Sequence, residues 1–212
     1  MSLTLLDWRR RVAALYAEIR ASSDIGSAHQ RWRDERDDLF RHHPDSPLLP
    51  ESRASFRGLP VAPYDPDQRF QAEVDTDLPP ARMEVPTGTD GIVAFDRIGR
   101  VHLGERGERG QLDVWWLASY GGGLFIPVKD ALAGKATYGG GRYLIDTVKG
   151  ADLGGDGATL VIDLNFAYNP SCAYDPAWAC PLAPPGNVLP GPVMAGELTG
   201  HHEVSTIDST ID

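Results

Sequence analysis

Leu5, Trp8, Val12, Leu15, Tyr16 and Ile19 recur at spacings of three and four, which gathers them on one stripe of a helix. Thr4 and Asp7 have the spacing of a capping box at its start. Ser23-Asp24-Ile25-Gly26-Ser27 breaks the pattern. A second helix is expected from about Ala28 to Phe40, capped by Ser27, with Trp32, Leu39 and Phe40 on its buried side and Pro44 and Pro47 beyond its end. Together the two predict a helical hairpin over residues 1–43.

From Phe56 the period changes to two. Stretches at 69–74, 82–85, 91–96, 101–104, 111–118, 124–128, 142–148 and 158–163 are short and bounded by Gly, Pro or Asp, as strands are. Asp96-Arg97-Ile98-Gly99-Arg100 and Ser119-Tyr120-Gly121-Gly122-Gly123 look like hairpin turns. With no helical pattern between them, such strands favour an antiparallel arrangement over alternating strand and helix units. The expected fold class is α+β: the helical hairpin, then an antiparallel β-barrel or strongly curved β-sandwich over 44–198. Residues 165–192, rich in Pro and aromatic side chains, are expected to form an ordered loop that closes this domain, and 199–212 a mobile tail.

Charge narrows the partners. The chain carries −10 overall, and residues 150–212 hold eight acids with no Lys or Arg. Such a stretch is poor material for phosphate backbones or anionic lipid, so neither nucleic acid nor membrane is an expected partner. No segment approaches the ~18 apolar residues of a membrane span. Trp8-Arg9-Arg10-Arg11 falls where a signal peptide needs its apolar core, so a cytoplasmic protein is expected.

The densest polar cluster runs from Asp163 to Tyr174. Alternation on a strand would put Asp163 and Asn165 on one face and Leu164 and Phe166 on the other. The polar face would then line a barrel or cleft, or Asp163 and Asn169 would fix the loop through local Asx bonds. A second cluster, Asp130 to Tyr143, contains Lys135, three consecutive glycines and Arg142. It is either a long hairpin connection or a place where backbone amides and Arg142 hold an anion. Glu197 is either a general base or the partner of Arg142.

These residues suggest a small-molecule pocket with Asp163 and Glu197 as candidate catalytic carboxylates, in a hydrolase or proton-transfer enzyme. Asn165, Tyr168, Asn169, Asp130, Lys135 and Arg142 are candidate ligand-binding residues. No cofactor fingerprint is present, and none is expected. Cys172 and Cys180 are two thiols, too few for a four-ligand zinc site, and His201-His202-Glu203 falls in the tail, so no metal is expected either. The thiols are read as structural, able to pin the loop as a disulfide. A nucleophilic Cys172, with His102 as its base, is a weaker alternative. The reading from a different class is a non-catalytic interaction module that uses the Pro-rich loop and the helical hairpin as partner surfaces.

The chain resembles a bacterial and archaeal family known as the domain of unknown function numbered sixteen eighty-four. The resemblance rests on Trp32-Arg33 through Phe40, Pro44-Asp45-Ser46-Pro47-Leu48, Phe56-Arg57-Gly58-Leu59, Phe125-Ile126-Pro127, Asp130, Gly134-Lys135, Thr137-Tyr138-Gly139 and Gly141-Arg142-Tyr143-Leu144. It continues with Asp163, Asn165, Ala167-Tyr168-Asn169-Pro170, Cys172-Ala173-Tyr174, Cys180-Pro181, Asn187 and Ala195-Gly196-Glu197. Lys129 stands where the family usually shows Arg, Val128 where it shows an aromatic residue, and Phe166 where a basic residue is frequent. The resemblance implies the fold and the location of a site, and no reaction.

Overall fold

The computed structural model describes residues 3–87 and 91–200. Helix α1, Leu3–Ala21, buries Leu15, Tyr16 and Ile19 of the predicted stripe. Thr4 is already helical, so Thr4 and Asp7 both lie within the helix rather than ahead of it. Helix α2, Ile25–His42, begins three residues earlier than its pattern suggested, because Asp24 and not Ser27 is the cap. The Asp24 carboxylate accepts from the Ser27 amide (3.1 Å) and from the Ser27 hydroxyl (2.7 Å). Arg11 ties the two helices through Glu35 and Asp38. A single turn, α3 (Pro50–Arg53), precedes the sheet.

The strands are β1 (Arg69–Asp75), β2 (Arg82–Thr87), β3 (Gly91–Leu103), β4 (Gly110–Leu117), β5 (Leu124–Val128), β6 (Arg142–Asp146), β7 (Gly155–Asp156) and β8 (Thr159–Asp163). They form one sheet in the order β6-β5-β4-β3-β1-β8-β7, with β2 also on β3, and each named pair is antiparallel. The sheet curls into a half-barrel behind the helices, the form taken by the expected barrel or curved sandwich. Where the sequence suggested a turn at residues 96–100, β3 runs straight through. A bulge between Arg97 and Gly99 absorbs the irregularity. Gly99 lets β1 approach there, since a Cβ on it would fall 2.4 Å from Val74 Cγ1. Residues 119–123 do form the β4–β5 turn, with Gly122 donating to the Ser119 carbonyl.

Two apolar clusters hold the layers. Inside the curl, Val101, Leu112, Val114, Ile126, Leu144 and Ile162 pack against Leu189, Val193 and Ala195 of the C-terminal segment. Between helices and sheet, Tyr16, Ile19, Trp32 and Phe40 pack on Phe166, Ala151 and Leu153. The Pro-rich stretch is an ordered strap: Lys129 exchanges bonds with Asn187 and Leu189, and Leu198 donates to Pro60. Asn187, fully buried, ties the strap to β4 and β5 by donating to the Asp113 and Pro127 carbonyls while accepting from Trp115 Nε1. The tail from His201 onward, with His201-His202-Glu203, lies outside the described residues.

Candidate functional site

The polar residues singled out in the sequence do not converge on one pocket; they fall into three networks. In the first, β8 ends at Asp163, whose side chain caps a 3-10 turn, Leu164–Phe166. The expected alternation therefore stops, and Asp163, Leu164, Asn165 and Phe166 are all buried. One Asp163 oxygen accepts from the Asn165 amide and Nδ2 (3.0 and 2.8 Å), and the other from Arg69 Nη1 (3.0 Å). Asn165 completes its valences by donating to the Asp65 carbonyl and accepting from the Asp65 amide. The first network is thus an Asx-type clasp.

Burial raises the Asp163 carboxyl above the usual carboxylate range, with Asn165 and Arg69 only partly offsetting it. Such a group takes up its proton first in the folded protein. Its contribution to stability grows as the pH falls through the folded pKa and is complete below the unfolded one. Asp163→Asn keeps the acceptor but cannot titrate. It is expected to lose stability relative to the parent as the pH drops from about 7 to about 4, measured by urea unfolding. A gap that stays constant would show that Asp163 titrates in the ordinary range.

The second network surrounds Arg142, which has no exposed surface. Nη1 donates to the Ala195 and Glu197 carbonyls (2.6 and 3.1 Å), and Nη2 to Asp130 Oδ2 and the Val193 carbonyl (both 3.1 Å). Asp130 also accepts from Thr137 Oγ1 (2.9 Å) and from the Leu132 and Val193 amides. Both terminal nitrogens of Arg142 are committed to protein acceptors, and only its Nε, buried, has no partner. Lys135 is exposed nearby; its amide donates to the Leu132 carbonyl and its own carbonyl accepts from Thr199 Oγ1.

The third network borders a cavity. Glu197, wholly buried, pairs with Arg36 (2.6 Å) and not with Arg142. It also accepts from the Asn169 amide (3.0 Å) and the Tyr174 hydroxyl. Gly196 (φ +78°) brings this residue in, since a Cβ there would sit 2.7 Å from the Ala167 and Leu164 carbonyls. Arg36 lies over the rings of Trp32 (4.8 Å), Tyr168 (5.1 Å) and Phe40 (5.3 Å). Burial works against its charge, but Glu197 and the surrounding phenols outweigh that and leave its pKa raised.

Beside Arg36 opens a cavity of about 90 Å³, walled by Trp8, Tyr16, Trp32, Phe40, Tyr143, Tyr168 and Tyr174, with Lys149, Asn169 and Ser171 at its border. Burial pushes Tyr16 up to about 12 and Tyr168 and Tyr174 well above the usual phenol, so these hydroxyls stay neutral donors at physiological pH. Two polar atoms of lining residues, Arg36 Nε and Asn169 Oδ1, are buried with no hydrogen-bond partner in the protein.

Of the candidates drawn from the sequence, Tyr168 and Asn169 line this cavity and Glu197 stands behind it. Arg36, Lys149 and the tryptophans were missed. The signal existed: Trp32, Arg36 and Phe40 are spaced by four, which sets an arginine on the apolar stripe of α2. Cys172 and Cys180 are free, half-buried thiols, and Cys172 contacts the Tyr138 hydroxyl (3.6 Å), while His102 stands exposed on β3. Trp178 and Leu182 are half-exposed on the Pro-rich strap. Among the described residues, no helix is long and apolar enough to cross a membrane.

The solution NMR structure of an uncharacterized protein from Haloarcula marismortui is similar to this chain, at 35% identity and a TM-score of 0.59, over 82% of this chain and 93% of that one. No curated protein matches it. The family described as "protein of unknown function (DUF1684)" matches residues 54–198, from just after α3 through the sheet to Glu197 and Leu198. This match begins later than Trp32, where the resemblance was read to start. It spans most of the chain, and with it the chain belongs to the DUF1684 family.

Proposed function

We propose that this protein binds a small organic molecule, in the cytoplasm, within the aromatic cavity between the helical hairpin and the Tyr168–Tyr174 segment. The ligand has a planar, mostly apolar body and one anionic or acceptor head. The observation that carries this reading is the wall itself: seven aromatic rings around a cavity beside one guanidinium that keeps an unpartnered N–H. Stacked and edge-on rings favour flat apolar bodies, and a charge-assisted bond from Arg36 or Lys149 favours an anionic head. Hydrolysis finds no support here, because Asp163 and Glu197 are both engaged by arginines and backbone amides.

A thermal-shift screen of small aromatic carboxylates beside their neutral amides tests this. A ligand present at about a hundred times its dissociation constant stabilises by about 2.7 kcal/mol, a rise of roughly 5–10 °C for a chain of this size. Val12→Phe, which fills the cavity from α1, is expected to abolish the rise. A rise that persists in Val12→Phe would place the ligand elsewhere.

A further inference from the structure

Cys172 and Cys180 stand at the two feet of an arc. The first foot is the 3-10 turn Ser171–Ala173, where the Tyr138 hydroxyl meets the Cys172 carbonyl (3.4 Å) and Sγ (3.6 Å). The second is Cys180-Pro181, where the Tyr143 hydroxyl donates to the Pro181 carbonyl (2.6 Å) and Cys180 packs on the Phe95–Trp115–Phe125–Tyr143 cluster. Between the feet, residues 176–179 are exposed, with Trp178 half out in solvent. Residues 138–140 bind both feet together: Tyr138 holds the first, and the Gly140 carbonyl accepts from Ala183 just past the second. The thiols are unbonded and half-buried, each on a foot held by the same short stretch, residues 138–140.

We propose that Cys172 and Cys180 form a redox-responsive dithiol, closed to an intramolecular disulfide by small-molecule disulfides such as oxidised glutathione, which cinches the arc and stiffens the Ser171–Tyr174 wall of the cavity. One thiolate attacks the oxidant's S–S bond, forming a mixed disulfide and releasing one thiol. The second protein thiol gives up its proton and attacks the protein sulfur of that mixed disulfide. The Cys172–Cys180 bond forms and the second small thiol leaves, so two electrons and two protons pass to the oxidant. Burial pushes the Cys172 thiol up, Tyr138 partly opposing and Cys180 adding to it, so closure quickens as the pH rises and thiolate accumulates. This centre stands independently of the ligand proposed above.

The full chain is treated with oxidised glutathione at mildly alkaline pH and read by intact mass, free-thiol titration and thermal unfolding. The expected product is a monomer that has lost two hydrogens, carries no glutathione, titrates no thiol, melts about 5 °C higher and reverts with a dithiol reductant. Cys172→Ser and Cys180→Ser are each expected to stop at one retained glutathione, which marks the mixed disulfide the partner would have resolved. Stable glutathione adducts on the unsubstituted chain, disulfide-linked dimers, or thiols left unreacted would each overturn the proposal.

Discussion

Arg142→Leu is expected to destabilise the fold by about 3–5 kcal/mol, because it removes one partner of a buried ion pair and leaves the other behind. Asp130 would keep Thr137 and two backbone amides but lose its counter-charge. The carbonyls of Val193, Ala195 and Glu197, all on buried residues, would lose their donor. Those carbonyls set Arg142 apart from an ordinary salt bridge, since one guanidinium fork fastens the C-terminal strap to β6 and the β5–β6 connection at four points. Arg142→Lys should recover little, because an ammonium cannot span two carbonyls, a third and a carboxylate at once. Removing Asp130 as well should not restore stability either, as the carbonyls stay unpaired. Urea unfolding gives the magnitude, and limited proteolysis should cut first within 185–198. A loss near the ~1 kcal/mol of a single hydrogen bond, with no new cleavage, would mean the strap is held by its apolar contacts instead.

The hidden fastening of Arg142 also shows what a local pattern conveys. The change of period from near four to two located the hairpin and seven of the eight strands, because periodicity reports which face is apolar and that survives folding. The two-residue strand β7 is too short to carry a period. The run from 96 to 100 read as a turn because a glycine between polar residues punctuates a chain. Only the neighbouring strand β1, with Val74 against Gly99, makes it a bulge within one long strand. Asp24 lost the cap to Ser27 in the sequence because both are good caps and Gly26 looked like a break. The site was less legible for a deeper reason. Asp163, Arg142 and Glu197 each turn to a different partner: Arg69 from β1, Asp130 from the β5–β6 connection, and Arg36 from α2. Partner choice is set by long-range packing, which spacing along one segment does not encode. Arg36 was overlooked because a charge on an apolar stripe looks like a boundary residue until three rings and a carboxylate are seen around it.

That cage supports the second large effect. Arg36→Met keeps an unbranched stem against Trp32, Phe40 and Tyr168 but leaves Glu197 buried and uncompensated, at an expected cost of about 3–5 kcal/mol. Glu197→Gln keeps an acceptor for the Asn169 amide and is expected to cost less. If the pair is coupled as its 2.6 Å contact implies, the double variant should be more stable than the sum of the single losses predicts, by about 1–3 kcal/mol. Four urea curves with a common slope measure it, and additivity within about 0.5 kcal/mol would show that the two groups do not act as a pair. The double variant separates architecture from recognition. Its cavity keeps seven rings and its shape but loses the guanidinium, so a neutral aromatic amide should still raise its melting temperature while the matching carboxylate loses its advantage. If carboxylate and amide keep the same ratio of affinities in parent and double variant, Arg36 is a structural fastener like Arg142 and Lys149 reads the ligand's charge. If the carboxylate alone falls away, the guanidinium between Trp32 and Tyr168 is the group that chooses what enters.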